Sequence, residues 1–285
     1  MKLLLKRIVR KLHILVQNIY DKFTSSVIEA SIGDILLVRN VIECNQFLCA
    51  ARVLDIQLFI EGDASFEYQN AISGATYGSL HREEDGNKAF KSTIESFQVN
   101  GYNPEAGPME VDVDLRLMNG THRMGCCYFF GYPKVLLKVV KRQSKTMLNV
   151  DGYYLKDISS KFLSKIHQQT LMIHQNLVSQ GICFCTSAKS LNTQQLKQFV
   201  DDIKALVQVE KVFYRDKEIL VLFSLKAPQY IIKNKTLISQ RALIVKEILS
   251  KRYNHNVEFS ISNNCLEGKM LFNSWMSIPN KELPN

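Results

Sequence analysis

The sequence predicts an α+β fold, and three observations support that class. Amphipathic patterns with a period near 3.6 residues alternate along the chain with short β-branched runs. Hydrophobic residues make up 46% of the chain and charged residues 22%, which is ordinary for a globular protein and excludes a disordered or fibrous chain. The length of 285 residues favours two domains.

The first segment, residues 1–23, predicts a basic amphipathic helix. It carries six Lys or Arg residues against one Asp, and its apolar residues recur at steps of three and four. Two interpretations stay open: a helix lying on an anionic membrane surface, and a helix packed on its own domain with a solvated basic face. The interrupted apolar runs argue against a signal peptide, and no stretch reaches the roughly 20 apolar residues of a membrane span.

Between residues 26 and 145 the patterns predict a mixed first domain. Residues 31–60 have β-branched and leucine runs, which favour a strand-rich or mixed segment, whereas the glycines and acidic residues of 66–86 favour a loop. The remaining predicted elements follow in order: a helix over 88–99, a half-buried alternating strand over 109–117, a turn at Asn119–Gly120, a helix from Thr121 and a strand over 135–140.

The second half of the chain predicts a compact plait. An amphipathic helix over 157–179 connects to it, and the order β-α-β-β-α-β follows, with strands at 182–185, 209–214, 219–225 and 257–262 and helices at 193–207 and 237–253. This order is that of a ferredoxin-like unit, which hosts many functions and decides none of them. The predicted segments are therefore a helix 1–25, a first domain 26–145, a connecting helix 146–180, a ferredoxin-like domain 181–270 and a tail 271–285.

The seven cysteines predict a reducing compartment. Their odd number, the vicinal Cys126 and Cys127, and the alternating Cys183 and Cys185 do not match the disulfide framework of a small secreted domain. No Cys-x-x-Cys or paired-histidine spacing predicts a metal site. We therefore expect core thiols and a cytoplasmic protein, with attachment at the inner membrane face as the alternative that the first segment adds.

The segment VDVDLRLMNGTHRMG, residues 111–125, carries the pattern most indicative of chemistry. Gly120 allows a backbone turn at positive φ, and the first amides of the helix that follows point outward with the positive end of its dipole. Thr121, His122 and Arg123 add a hydroxyl, an imidazole and a guanidinium group at the same place. The pattern predicts an anion site, with phosphate as its natural ligand. The alternative is a Thr-capped helix with a solvated His-Arg pair.

The stretch NGTHRMGCCYFFGYPKVLLKVV, preceded by KSTIESFQVNGYNP and MEVDVDLRLM, resembles the ParB/sulfiredoxin-like superfamily, whose members bind nucleotides. The resemblance covers about residues 66–140. The variant also looks like proteins found with bacterial surface-polysaccharide genes. The resemblance implies a ParB/sulfiredoxin-like first domain that binds ATP or another nucleoside triphosphate together with Mg²⁺.

Residue by residue, the resemblance implies that Gly120, Thr121, His122 and Arg123 bind the nucleotide phosphates, with Lys91 and Ser92 contacting the nucleotide from the preceding helix. Thr121 stands where sulfiredoxin has its reactive cysteine, so repair of cysteine sulfinic acid is not expected. Cys126 and Cys127 lie a turn further along and cannot replace that cysteine.

The resulting functional hypothesis is a kinase-like enzyme. It would use Glu67 as general base, because the serine-kinase relatives have a carboxylate upstream of the motif, together with His122 and Arg123 as catalytic residues. Its acceptor would be a small hydroxylated molecule; that the acceptor is a sugar intermediate of surface-polysaccharide synthesis comes from the resemblance alone.

Two alternatives stay open. One is a ParB-like, nucleotide-responsive protein that regulates or binds nucleic acid without catalysis. The net charge of +9 favours it, whereas no helix-turn-helix pattern follows residue 140, so nucleic acid is not the expected partner. The other is a scaffold tethered by the first helix. A homodimer is compatible with each of these hypotheses.

Overall fold

We describe the fold from a computed structural model, which covers residues 26–37, 39–77, 83–140, 158–225, 228–253 and 257–278. The helix predicted over residues 1–23 lies outside the described residues. Helices and strands both contribute extensively, which confirms the α+β class. Among the described helices, none is long and apolar enough to cross a membrane.

The first sheet has four strands in the order β1-β4-β2-β3. These are β1 (Ser26–Ser31), β2 (Met109–Val111), β3 (Leu117–Asn119) and β4 (Lys134–Val139). Strand β4 pairs antiparallel with β1 and parallel with β2, and β2 pairs antiparallel with β3. Before the second sheet, the described residues form six α-helices: α1 (Ile32–Leu36), α2 (Arg39–Ile60), α3 (Glu67–Tyr77), α4 (Glu83–Asn100), α5 (Thr121–Phe129) and α6 (Ser160–Ser179).

The prediction of a strand-rich or mixed segment over residues 31–60 is wrong, because the described residues of this segment form α1 and the long α2, with Ser31 ending β1. The central part of α2 is buried on most of its surface, including Cys49, Ala50, Val53 and Ile56. A helix that is enclosed on most sides shows no amphipathic period. Its continuous apolar runs therefore resemble the pattern of a buried strand.

The loop predicted over residues 66–86 is also wrong where the structure describes it, because α3 occupies Glu67–Tyr77. The cap of this helix comes from a distant residue. The carboxylate of Asp55 in α2 accepts hydrogen bonds from the amides of Tyr68, at 3.0 Å, and Gln69, at 2.7 Å. A local pattern of start signals cannot reveal a cap that another helix supplies.

The strand predicted over residues 109–117 is interrupted by a turn. Asp112 is fully buried, and one of its carboxylate oxygens accepts hydrogen bonds from the amides of Asp114 and Arg116, each at 2.9 Å. Leu115 consequently has a positive φ of 59°. Asp112 therefore stabilises the turn between β2 and β3.

The second sheet has the order β10-β5-β7-β6, with every neighbouring pair antiparallel. Its strands are β5 (Phe184–Lys189), β6 (Gln208–Arg215), β7 (Glu218–Ser224) and β10 (Glu258–Ile261). The helices α7 (Thr193–Leu206) and α8 (Gln240–Tyr253) lie close to their predicted positions. Three elements were not predicted: the hairpin of β8 (Tyr230–Lys233) and β9 (Thr236–Ser239), and the helix α9 (Cys265–Ser277), which includes the start of the predicted tail.

The second sheet packs into two hydrophobic cores that the described residues form, one on each of its faces. On β7, Ile219, Val221 and Phe223 belong to the core formed with α7 and α8, whereas Leu220 and Leu222 belong to the core that includes the first sheet. Backbone contacts at the junction are close, since a Cβ atom on Gly268 of α9 would lie 1.9 Å from the carbonyl oxygen of Cys183. The six cysteines whose side chains are described are buried and free of disulfides, which confirms the expected core thiols for these six.

Candidate functional site

The helix α5 begins in the predicted way, with a left-handed glycine and without a side-chain cap. Gly120 has φ 97° and ψ 19°, and none of the described side chains accepts a hydrogen bond from the first amides of the helix. A Cβ atom at this position would lie 2.6 Å from Cγ of Met109. Both the positive φ and the contact with Met109 therefore favour glycine here, and the amides of residues 121–123 are left for another partner.

His122 packs inward from this helix start. Its ring stacks on Phe90 of α4, with centroids 4.6 Å apart and an angle of 19° between the planes. Burial, and secondarily the positive charge of Arg52, lowers the pKa of His122 to about 3. The imidazole is therefore neutral near pH 7, with one hydrogen-bond donor and one acceptor, and does not act as a cation toward phosphate.

Arg52, which was not predicted as a site residue, brings a buried positive charge close to this site. It is only 6% exposed, and its guanidinium carbon lies 6.0 Å from the centroid of the Phe90 ring. Gly125 of α5 permits the approach, because a Cβ atom there would lie 2.6 Å from Cβ of Arg52. The available signal was a single Arg within the apolar run FLCAARVLDIQLFI, since a buried cation requires compensation.

Asp55 and Gln69 extend the polar cluster to α3. Burial of Asp55 raises its pKa to about 6, even though two amide hydrogen bonds and the charge of Arg52 act in the opposite direction. Gln69 is 3% exposed and donates from Nε2 to Oδ1 of Asn87 at 3.0 Å. Its Oε1 atom is buried and accepts no hydrogen bond from the described residues. Four helices, α2 to α5, thus bring polar groups together around Phe90.

Arg123 points toward the loop that precedes β2. Its guanidinium donates to the carbonyl oxygens of Ala106 at 3.5 Å, Pro108 at 3.2 Å and Gly107. These contacts fix the 3₁₀ turn Pro104–Ala106 against α5. In this arrangement the guanidinium stabilises the loop, and the phosphate contact inferred from the sequence remains a prediction.

Glu67 lies near the same cluster, and the ring of its neighbour Phe66 packs against Phe90. It is the first residue of α3 and follows Phe66, whose ring centroid is 5.3 Å from that of Phe90. Its charge raises the pKa of the buried Asp55, which indicates that the two carboxyl groups are neighbours. The structure therefore brings Glu67 to the cluster, with aromatic rings between its position and His122.

Lys91 and Ser92 lie on the exposed side of α4. Lys91 forms an ion pair with Glu95 at 3.8 Å, and both side chains are about half exposed. The face of α4 that packs inward carries Phe90, Ile94 and Phe97 instead. The side chains of Lys91 and Ser92 are both exposed, and their role in nucleotide binding remains a prediction.

The two cysteines of α5 belong to the core. Cys126 and Cys127 are fully buried, and burial raises the pKa of both thiols, that of Cys127 to about 12. A thiol that stays protonated is a poor nucleophile. Within the described part of the chain, no group of three or more His, Cys, Asp or Glu side chains forms a candidate metal site.

The fold and the site together define an α+β protein with an uncapped, glycine-initiated helix beside a buried Arg-His-Asp cluster. Comparison with known proteins found no matching family model, no matching curated protein and no matching solved structure.

Proposed function

We propose that the start of α5 binds the phosphate groups of a nucleoside triphosphate, and that the protein transfers a phosphoryl group to a small hydroxylated acceptor. The observation that carries this proposal is the uncapped start of α5 at Gly120, next to the Thr121 hydroxyl. The preference for a nucleotide over another phosphate compound comes from the resemblance of residues 66–140 to the ParB/sulfiredoxin-like superfamily.

We propose that the first sheet with α2 to α5 is a ParB/sulfiredoxin-like domain, and that the second sheet is a ferredoxin-like unit. The second part is supported by strand order: β10-β5-β7-β6 corresponds to the order 4-1-3-2 of a β-α-β-β-α-β plait, with all pairs antiparallel.

The donor groups at α5 fit a polyphosphate. The amides of residues 121–123 and the Thr121 hydroxyl can donate to phosphate oxygens, and the buried charge of Arg52 adds positive potential. The nucleoside triphosphate, when bound, supplies the transferable phosphoryl group. Mg²⁺ in such sites is usually held by one or two carboxylates together with the phosphates, so a preformed three-ligand cluster is not required.

The protein's own contribution to transfer would be positioning and proton removal. Glu67 would accept the proton of the acceptor hydroxyl, in the role of general base. His122, neutral and held against Phe90, would offer one fixed hydrogen-bond donor or acceptor. Arg123 would keep the 104–108 loop against α5.

Binding is tested by calorimetry with ATP, CTP and GTP in the presence of Mg²⁺. Thr121→Glu places a carboxylate at the first residue of α5, so we expect nucleotide affinity to fall at least about tenfold. Thr193→Glu is the matched control, because Thr193 is the first residue of α7. Absence of binding by folded wild-type protein would refute the proposal, and equal losses in both variants would place the effect outside α5.

Transfer is tested separately, by screening for nucleotide turnover with hydroxylated acceptors. We expect Glu67→Gln to abolish most turnover while nucleotide affinity stays unchanged, and Glu95→Gln on the exposed side of α4 to retain both. Nucleotide binding without turnover under any of these conditions would instead favour the regulatory, ParB-like alternative.

A further inference from the structure

The second sheet has a cavity of about 600 Å³ at one end, far in sequence from α5. It lies between the end of α7 and the start of α8, and it is also lined by the beginning of β6 and the end of β7. Its volume is in the range of cavities that hold small molecules. The ligand class can be inferred from the groups that line it.

Positive charge dominates the lining. Among the lining residues that the structure describes, Lys204 and Arg241 are charged, and the others are polar or apolar. Lys204 faces Asp201 at 3.9 Å, but both side chains are more than half exposed, so that pair neutralises little. The lining therefore favours a ligand with at least one negative charge.

The backbone around the cavity offers a second kind of group. The amides of Gln240 and Arg241 already donate to the carbonyl oxygens of Gln229 and Pro228. Because these first amides of α8 have partners within the chain, the contact with an anionic ligand would come from the Arg241 side chain. At the end of α7, the carbonyl of Ile203 accepts from the amide of Val207, and the last three residues of the helix, 204–206, line the cavity. The carbonyl groups of a last helical turn have no successor amide in the helix, so ligand hydroxyl groups can donate to them.

Polar side chains line the cavity between the end of α7 and the start of α8, and they can bind a ligand that carries hydroxyl groups. Gln208 and Gln229 provide amides that donate and accept, and Gln229 is held at a positive φ of 48°, a conformation that costs energy for a residue other than glycine. The Ser224 hydroxyl, in contrast, is buried and already donates to Oε1 of Glu210 at 2.6 Å.

We propose that this cavity binds a small hydroxylated anion, a sugar phosphate or a hydroxy acid, with the anionic group at Arg241 and Lys204 and the hydroxyl groups toward the end of α7. The site is independent of the function proposed for α5. It gives the second sheet a ligand-binding role of its own.

The test uses four probes in calorimetric titrations of the full-length protein. Glucose 6-phosphate and gluconate carry both charge and hydroxyl groups, whereas glucose lacks the charge and inorganic phosphate lacks the sugar hydroxyls. We expect a Kd near or below about 1 mM for at least one of the first two, and binding at least about tenfold weaker for glucose and phosphate. Whichever of the two binds more tightly distinguishes a phosphate ligand from a carboxylate ligand.

Variants locate the binding. Arg241→Ala removes an exposed side chain whose backbone amide keeps its bond, so we expect a folded protein with affinity reduced at least about tenfold. Lys251→Ala, about 15 Å further along α8, and Thr121→Glu in α5 should bind like wild type. Absence of saturable binding of both hydroxylated anions, equal binding of glucose, or full affinity in folded Arg241→Ala protein would each overturn the proposal.

Discussion

The starts of α3 and α5 lie at the same buried cluster and are completed in different ways. At α3, the carboxylate of Asp55 accepts the amides of Tyr68 and Gln69. At α5, the helix begins at Gly120, and no described side chain takes the corresponding amides. Arg52 lies near both, since its charge shifts the pKa values of Asp55 and His122. The protein supplies its own anion to one helix start and leaves the other available.

Three other described helices are capped from within the chain like α3, whereas α6, which follows Ser159, also begins without a side-chain cap. Ser31 caps α1, Asn192 caps α7 and Asn264 caps α9, in each case through a side-chain oxygen. These caps satisfy amides that would otherwise need water or a ligand. The difference at α5 therefore concerns which partner satisfies the first amides, and three predictions address it.

The largest effect is expected from removing the internal anion. Asp55→Ala would leave two buried amides without acceptors and would remove the carboxylate that compensates Arg52, so we expect a loss of about 3 kcal/mol or more in unfolding free energy. Asn192→Ala, which removes an exposed cap from α7, should cost about 1 kcal/mol. Urea unfolding measures both; similar losses would mean that Asp55 is only an ordinary cap.

The pH dependence of stability should separate Asp55 from His122. The raised pKa of Asp55 contributes stability that is complete below about pH 4 and is lost as the pH rises to about 6. The lowered pKa of His122 acts in the opposite sense: its contribution is complete above about pH 6.5 and is lost as the pH falls toward 3. Each changes unfolding free energy by about 1.4 kcal/mol per pH unit within its window.

Single variants expose the two opposing contributions. Between pH 4 and 6, we expect the stability of Asp55→Asn relative to wild type to increase with pH, and that of His122→Phe to decrease with pH. Phenylalanine keeps the stacking on Phe90 while removing the titrating group. Denaturant titrations at several pH values measure the slopes, and parallel curves for wild type and both variants would contradict the assigned pKa shifts.

The smallest effect is the stability change that accompanies a carboxylate at the α5 start. Thr121→Glu and Thr193→Glu each place a negative charge in a first helical turn, so we expect each to stabilise the protein by about 0.5 kcal/mol. A stabilised protein that has lost nucleotide affinity would distinguish a blocked site from a damaged one. Thermal unfolding at low salt measures the gain, and a destabilised Thr121→Glu protein would show that α5 has no room for a carboxylate.

Local sequence signals determined much of the site's backbone. Asn119–Gly120 predicted the turn, and Thr121 the first residue of α5, because a left-handed glycine and a change of period are properties of neighbouring residues. The helices α4, α6 and α7 and the hairpin of β6 and β7 follow from amphipathic periods and turn residues in the same way. The α+β class follows from these elements.

Only the tertiary structure decided which side chains form the cluster. Arg52 and Asp55 lie in a helix with little amphipathic pattern, and α3 depends on a cap from that helix, so neither was evident from adjacent residues. The direction of the Arg123 side chain could not be predicted from its neighbours in the chain either, because its guanidinium donates to three backbone carbonyl oxygens of the 106–108 loop. Hydrogen bonds between distant segments and the desolvation of buried charges depend on what folding brings together, whereas turns and helix periods depend on neighbours in the chain.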